Sequence, residues 1–213
     1  MDCRSERLKL VEKLKSRGYL KSAEVIEAFK KVPREEFVPD RLKGSAYVDS
    51  PLPIGSDQTI SAPHMVAIMT EALEAKPTDK VLEIGAGSGY QAAILAEIVT
   101  DGRIYTIERI TELAFYAREK LKRLGYANVE VRVGDGTLGL EEQAPYDRII
   151  VTAGSPRVPE KLVEQLAEGG RLLVPAGGRF YQNLIRVDKR EGKIMEKDLG
   201  GCVFVPLIGK DGW

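Results

Sequence analysis

The sequence predicts an α/β fold, a doubly wound and mostly parallel sheet with helices on both faces. Two observations carry that prediction. From Lys80 onward, short β-rich apolar segments alternate with segments of helical spacing. Repeated βα units of this length require crossover connections, so the strands lie parallel and both faces are covered. The first unit is also the most informative: in Lys80-Val-Leu-Glu-Ile-Gly-Ala-Gly-Ser-Gly-Tyr90 a strand built on Val81, Leu82 and Ile84 enters a turn of Gly85, Gly87 and Gly89, and Gln91–Val99 follows as a helix. A strand, a glycine turn and a helix start bring bare backbone N–H groups close to a ligand.

Taken in order, Glu6–Arg17 places Leu8, Val11, Leu14 and Lys15 at helical spacing. Ser22 reads as the N-cap of a second helix, with Ala23, Ile26, Ala28 and Phe29 along it and Pro33 ending it. Residues 34–63 carry Pro39, Pro51, Pro53 and Pro63 and read as irregular, the kind of long loop that is usually functional. Ser61 is a candidate N-cap, with Pro63 in the first turn of a third helix whose apolar face is Met65, Ile68, Met69, Ala72 and Leu73. Strands are expected at 80–85, 103–108, 128–133, 147–153 and 170–176, and helices at 89–99, 111–124 and 159–167. Beyond Gly177 the pattern changes. Asn183–Lys189 and Cys202–Ile208 read as two strands, joined partly through the charged turn Lys189-Arg-Glu-Gly-Lys193, that form an antiparallel edge. No linker separates a second folded unit. Residues 1–213 are expected to form one domain, with a helical and loop-rich N-terminal extension (1–63), a βα core (64–177) and C-terminal strands (178–213).

Composition narrows the function. The 213 residues, 43% hydrophobic, suit one domain with a real core. Thirty-two basic residues balance thirty-two acidic ones, so no electrostatic footprint for nucleic acid is present. No apolar run approaches the ~20 residues of a membrane span, and Met1–Arg7 begins charged, without a signal-peptide core. A cytoplasmic protein, monomeric and without a membrane partner, is expected. Cys3 and Cys202 make neither a disulfide framework nor a zinc site, and the single histidine, His64, excludes a His-rich metal site, so no metal is expected. A charged fraction of 30% and only two asparagines fit a thermophilic source.

Three acids stand at corresponding places. Glu83 precedes the glycine turn, Glu108 ends the next strand, and Asp135 sits in Val133-Gly-Asp-Gly-Thr137 after the third. They converge on the carboxyl edge of the sheet, where open α/β sheets bind ligands. An acid about 20 residues past the glycine turn can take both ribose hydroxyls in a bidentate grip; the alternative for Glu108 is a surface salt-bridge acid. Asp135 could accept a hydrogen bond from an adenine amino group, although by itself Gly-Asp-Gly is an ordinary turn. The glycine spacing is G-x-G-x-G rather than the G-x-G-x-x-G of dinucleotide sites, and Tyr90 stands where it obstructs a pyrophosphate but not a nucleoside. The fourth strand ends Thr152-Ala-Gly-Ser-Pro156, with no amide or acid to position an exocyclic nitrogen.

The glycine segment resembles the first motif of class I S-adenosylmethionine-dependent methyltransferases, and so implies the doubly wound sheet of that type. With Gln58-Thr-Ile-Ser-Ala-Pro-His-Met65, Ala153-Gly-Ser-Pro-Arg-Val-Pro159 and Gly169-Gly-Arg-Leu-Leu-Val-Pro-Ala176, the chain resembles the protein-L-isoaspartate (D-aspartate) O-methyltransferases from about residue 5 to Leu207. The resemblance implies S-adenosyl-L-methionine as cofactor, S-adenosyl-L-homocysteine as product, and methyl transfer to the α-carboxylate of L-isoaspartyl residues in proteins and peptides, with D-aspartyl residues as weaker substrates. The ester then cyclises to a succinimide that reopens partly to normal aspartyl, which begins repair. By the same resemblance Ser61 holds a carboxylate oxygen at the transfer point. Glu83, Gly85, Gly87, Ser88, Gly89, Glu108, Arg109, Asp135, Gly136, Thr152 and His64 surround the cofactor. Thr59, Ile60, Val38 and Val205 serve the substrate, and Val38–Tyr47 with Val203–Pro206 are candidates to grip its backbone.

Competing readings are methylation of a small molecule or an RNA base on the same fold, an NAD-dependent oxidoreductase, and a binding module that holds S-adenosylmethionine without turnover. Neutral charge and the Thr152-Ala-Gly ending oppose the RNA reading, and the missing third glycine opposes the NAD reading.

Overall fold

A computed structural model describes residues 2–213. Its elements are α1 (Cys3–Ser16), α2 (Ala23–Lys31), β1 (Leu52–Gly55), β2 (Gln58–Ile60), α3 (Pro63–Leu73), β3 (Lys80–Ile84), α4 (Tyr90–Ile98), β4 (Arg103–Glu108), α5 (Thr111–Arg123), β5 (Val129–Val133), β6 (Tyr146–Val151), α6 (Glu160–Glu164), β7 (Leu166–Gly178), β8 (Tyr181–Arg190) and β9 (Lys193–Cys202). Seven strands form one sheet in the order β5-β4-β3-β6-β7-β8-β9, parallel from β5 through β7 and antiparallel for the last two pairs. The chain steps outward from β3 to β5, then returns to lay β6 on the other side of β3. The switch point therefore lies at the carboxyl ends of β3 and β6, where doubly wound sheets take ligands.

Burial follows strand alternation. Val81 and Ile104 pack against Met69 and Leu73 of α3, Leu95 of α4 and Val99 just beyond it. Leu82, Ile84 and Ile107 face the other way, into a cluster with Ile149, Val151 and Leu162. Helix α4 is apolar almost all round, with Gln91–Ala96 and Ile98 all buried. A helix of that kind needs cover on both sides. The sheet covers one side, and a third cluster with Leu10, Leu14, Val25 and Phe29 of the N-terminal helices covers the other.

Three expectations require correction. The second strand of the C-terminal hairpin is Lys193–Cys202, not Cys202–Ile208. Lys193, Glu196, Lys197 and Asp198 hide it in the sequence, because a charged edge strand exposed on both faces shows no alternation. The turn itself falls in the expected charged stretch, at Glu191 and Gly192 (φ +51° and +70°), as a two-residue hairpin requires. The apolar run after Cys202 instead crosses the carboxyl end of the sheet, bridging Gly154 at Pro206. The helix expected over 159–167 stops at Glu164, because Leu166 already pairs with Tyr146 in the sheet and the Gln165 side chain bonds Leu138 and Leu140. Residues 34–63 are not wholly irregular: two 3₁₀ turns (Arg34–Phe37, Asp40–Ser45) precede the β1–β2 hairpin, whose turn is made by Ser56 and Asp57 at positive φ. Ser-Asp is a poor signature for that turn beside the usual Asn-Gly.

The antiparallel edge is tied to the body by Arg171 of β7. Its Nε lies 2.7 Å from Asp188 Oδ1 on β8 and its Nη1 donates to Ala72 O of α3 at 2.8 Å, with both charged side chains buried. Burial pushes the Asp188 carboxyl up, but the Arg171 hydrogen bond and charge outweigh it and hold the group below its ordinary range. Without Asp188 the buried Arg171 keeps only the largely exposed Glu74, 2.9 Å from its Nη1, as a charged partner. Asp188→Ala is expected to cost roughly 1.5–3 kcal/mol in denaturant unfolding at pH 7, the worth of a hydrogen bond to a charged group. Because the folded-state pKa is depressed, the wild-type contribution is complete above the ordinary carboxylate range and is lost as pH falls through the lowered value. The difference between the two proteins should therefore shrink toward acid.

Candidate functional site

The largest concentration of sequence-singled residues is a cavity at the switch point. The β3–α4 turn supplies Gly85, Gly87 and Ser88, the end of β4 supplies Ile107, Glu108 and Arg109, and the loop after β5 supplies Gly136. Thr152 and Ala153 follow β6, Thr59, Ile60 and Ser61 enter from β2, and Val205–Ile208 close the far side.

Local chemistry explains the shape. Gly85, Gly87 and Gly89 all take positive φ, and a Cβ at Gly85 would stand 2.5 Å from Thr152 Oγ1. Thr152 Oγ1 lies 3.0 Å from Ile84 O and 2.7 Å from Gly85 O, and its N–H donates to Ile84 O, so the ends of β3 and β6 are joined at the cavity wall. Glu108 is fixed from both sides, accepting from Gly87 N (2.9 Å) and Ile110 N (3.0 Å). A carboxylate has about four acceptor positions, so two remain for a ligand diol. Tyr90 is buried under the turn, edge-on to Phe29 and Phe37.

A second cavity adjoins the first. It is lined by Pro51, His64, Met65 and the stretch Gly201–Phe204, and it shares Thr59, Ser61, Thr152 and Val205 with the first. Ser61 thus stands at a window between two cavities. The structure corrects its capping role: the N-cap of α3 is Ala62, with no side-chain cap bond.

Other expected residues lie elsewhere. His64 lines only the second cavity, where Asp49 Oδ1 accepts from its backbone N–H and bonds Nδ1, both at 2.9 Å. Val38 is a buried core residue in the cluster with Leu14 and Phe29 and lines neither cavity, so its substrate role is not supported; the extended residue after Phe37 simply turns its side chain inward. Asp135 has its carboxylate engaged by Thr137 N and Oγ1 and by Lys210 N, while its neighbour Gly136 lines the cavity. Glu83 lies behind the wall, fully buried and without a hydrogen-bond partner at either oxygen. Burial pushes its carboxyl up to about 8; Thr106, its register neighbour on β4, opposes this and the Glu108 charge adds to it.

Sequence reasoning missed Arg34. Its guanidinium is fully buried without a carboxylate partner: Nε donates to Ala46 O (2.9 Å), Nη2 donates to Ser61 O (2.8 Å), and the group sits 4.9 Å from the Tyr90 ring centroid. It therefore anchors the backbone of the window residue. Pro-Arg-Glu-Glu-Phe reads as a solvated charge run, so nothing in the sequence marks one of its charges as interior.

A cavity lined by a G-x-G-x-G turn, with a strand-end acid presenting free acceptor positions, is the arrangement of an S-adenosylmethionine-dependent methyltransferase of the class I fold. Comparison with known proteins gives the particular family. The family model for protein-L-isoaspartate(D-aspartate) O-methyltransferase matches residues 5–212, and the chain belongs to that family. It is 60% identical over 213 residues to the protein-L-isoaspartate O-methyltransferase of Methanopyrus kandleri (99% of this chain, 94% of the relative) and 54% identical to that of Hyperthermus butylicus (99% and 91%). Among solved structures, it is similar to a protein-L-isoaspartate O-methyltransferase of Plasmodium falciparum in complex with S-adenosyl-L-homocysteine, with TM-score 0.83, 29% identity, and 94% and 97% of the two chains covered. Among the described residues no helix is long and apolar enough to cross a membrane, and no His/Cys/Asp/Glu group could hold a metal.

Glu83 supplies a pH test. Its pKa is raised in the folded protein, so between the ordinary carboxylate range and about 8 the folded state holds a proton that the unfolded state has released. Wild-type stability should fall with rising pH across that window, by up to about 1.4 kcal/mol per pH unit from this group alone. Glu83→Gln, which cannot ionise, is expected to gain on the wild type from pH 5 to pH 8 in parallel denaturant titrations.

Proposed function

We propose that the protein methylates the α-carboxylate of L-isoaspartyl residues in damaged proteins and peptides, with Ser61 holding that carboxylate at the window between the two cavities. The observation that carries the reading is the set of residues common to both: Thr59, Ser61, Thr152 and Val205. A group in the first cavity and a peptide in the second can meet only there. S-adenosyl-L-methionine, when bound, supplies a methyl group on a sulfonium, a good leaving group, and S-adenosyl-L-homocysteine is the product.

None of the four shared side chains is a base at neutral pH, and the proposed acceptor needs none. A carboxylate of ordinary pKa, near ~4, is already ionised. What the chain must do is orient. The Ser61 hydroxyl donates to one carboxylate oxygen, Thr59 and Ile60 form the adjoining wall, and Val205 excludes water from the opposite side. Arg34, through Ser61 O, keeps the window backbone in place. Orientation of this kind can supply on the order of 7–11 kcal/mol. In the first cavity, Glu108 with its two remaining acceptor positions suits a ribose diol, and Gly85, Gly87, Ser88, Gly89, Arg109, Gly136 and Thr152 complete the cofactor set. The methyl ester released from the second cavity then cyclises without further help to a succinimide, which starts repair.

The test uses methyl-labelled S-adenosyl-L-methionine and two peptides that differ only in carrying L-isoaspartyl or L-aspartyl at one position. Base-labile label is expected in the isoaspartyl peptide alone; label in neither, with cofactor binding intact, overturns the substrate. Ser61→Ala is expected to lower kcat roughly 10–100-fold, the worth of one hydrogen bond to a charged group. Affinity for S-adenosyl-L-homocysteine should stay within about twofold, since Ser61 acts on the acceptor side.

A further inference from the structure

His64 lines the second cavity together with Ser61, and Asp49 fixes how it stands there. Asp49 Oδ1 lies 2.9 Å from the backbone N of His64 and 2.9 Å from its Nδ1. The first contact satisfies an N–H at the start of α3, whose own N-cap residue, Ala62, offers no side-chain bond. That service needs only the backbone, and any residue but proline at this place could receive it. The second contact does nothing for the helix and holds the ring. Tyr19 packs beside that ring, with the centroids 5.7 Å apart.

The Asp49 side chain is only 8% exposed, and Arg17 Nη1 stands 3.7 Å from its Oδ2. Burial pushes the carboxyl up, but the N–H and ring of His64 outweigh it and hold it below the ordinary range. At neutral pH Asp49 is therefore an acceptor only, and Nδ1 must carry the proton that joins them. In the neutral imidazole the other nitrogen is then bare. Among the described residues Nε2 has no hydrogen-bond partner, and it is not among the polar atoms sealed in the interior. A buried carboxylate thus brings one oriented acceptor to the second cavity.

We propose that His64 is a specificity-determining residue for the acceptor: its Nε2 accepts the N–H of the isoaspartyl residue itself while Ser61 holds that residue's α-carboxylate. In an isoaspartyl residue the nitrogen and the free carboxylate sit on the same Cα. In a normal aspartyl residue a methylene separates that Cα from the carboxylate, so the two groups lie farther apart. Ser61 and His64, on either side of the start of α3, therefore measure this separation and reject the longer one without reading any neighbouring side chain. The proposal rests on the reading of the second cavity as the acceptor site, and the experiment separates the two.

Methyl-transfer assays on the full chain would compare two peptides. One carries L-isoaspartyl. The other carries L-malyl linked through its β-carboxyl, so that an ester oxygen replaces the N–H and the α-carboxylate is kept. The wild type is expected to favour the amide peptide about tenfold in kcat/KM, the usual worth of one hydrogen bond. His64→Phe keeps a ring beside Tyr19 and the backbone N–H on Asp49 but has no acceptor, and should bring the ratio below about twofold. His64→Gln offers Oε1 near the place of Nε2 and should keep the ratio above about fivefold. A ring that only packs would change both peptides alike. A wild-type ratio near one, a Phe variant that keeps the wild-type ratio, or a Gln variant that loses it as fully as the Phe variant therefore overturns the proposal. Variants that weaken S-adenosyl-L-homocysteine binding in calorimetry and leave the KM of both peptides unchanged overturn instead the reading of the second cavity, and the role of His64 with it.

Discussion

At the mouth of the sheet Thr152 lies against the end of β3 with three contacts, its N–H and hydroxyl reaching Ile84 O and the hydroxyl also Gly85 O, and only a residue without Cβ leaves it room. That junction closes the switch point on the side of β6 and leaves it open toward β4. Everything functional is referred to it. Because Gly85 turns away at positive φ, the N–H of Gly87 reaches Glu108, and the acid is oriented before any ligand arrives. Because Thr152 belongs to both cavities, the same junction forms one wall of the window at which Ser61 stands. A longer side chain at residue 85 would push β3 and β6 apart and blur the cofactor cavity and the window together.

Two ionisable groups are buried near this junction without a charged partner, and they settle differently. Glu83 escapes the cost of burial by taking a proton, since a neutral carboxyl loses far less on leaving water than an ionised one. A guanidinium has no such exit at ordinary pH. Arg34 therefore recruits the carbonyls of Ala46 and Ser61 and the face of Tyr90. Those groups come from the loop, the window and the start of α4, so partnering Nε, Nη2 and the face of one cation, with Nη1 left over, draws together three segments distant in sequence. The 3₁₀ turns between α2 and β1 are held in place by that need as well as by the packing of Phe37.

The parts legible in the sequence are those where local pattern and global fold agree. β3, the glycine turn, α4 and Glu108 could be read because strand alternation, positive-φ residues and strand-end acids are local signals. Long-range partners left no such trace. Arg34 looks like surface charge because its burial depends on Ala46, Ser61 and Tyr90. Ser61 looks like a helix cap because serine is a preferred cap and Pro63 suits a first turn, whereas here Ala62 occupies that place. β9 was missed because its charges, which suit an exposed edge, erase the alternation that marks a strand.

The same edge bears on how one site can act on many different peptides. The wall of the second cavity includes Gly201, Cys202, Val203 and Phe204, the chain leaving β9 and crossing toward the window. The Val203 side chain is turned to solvent and is largely exposed, while Cys202 and Phe204 are buried beneath it. Such a stretch offers a visiting chain mainly backbone and apolar surface, neither of which distinguishes one side-chain sequence from another. On the proposed reading, selectivity arises at the window, where the distance between peptide backbone and Ser61 is set by the number of bonds that separate a carboxylate from its main chain. An isoaspartyl residue differs from an aspartyl one in that respect and not in composition, so a loosely discriminating groove joined to a rigid window fits a substrate defined by its backbone defect.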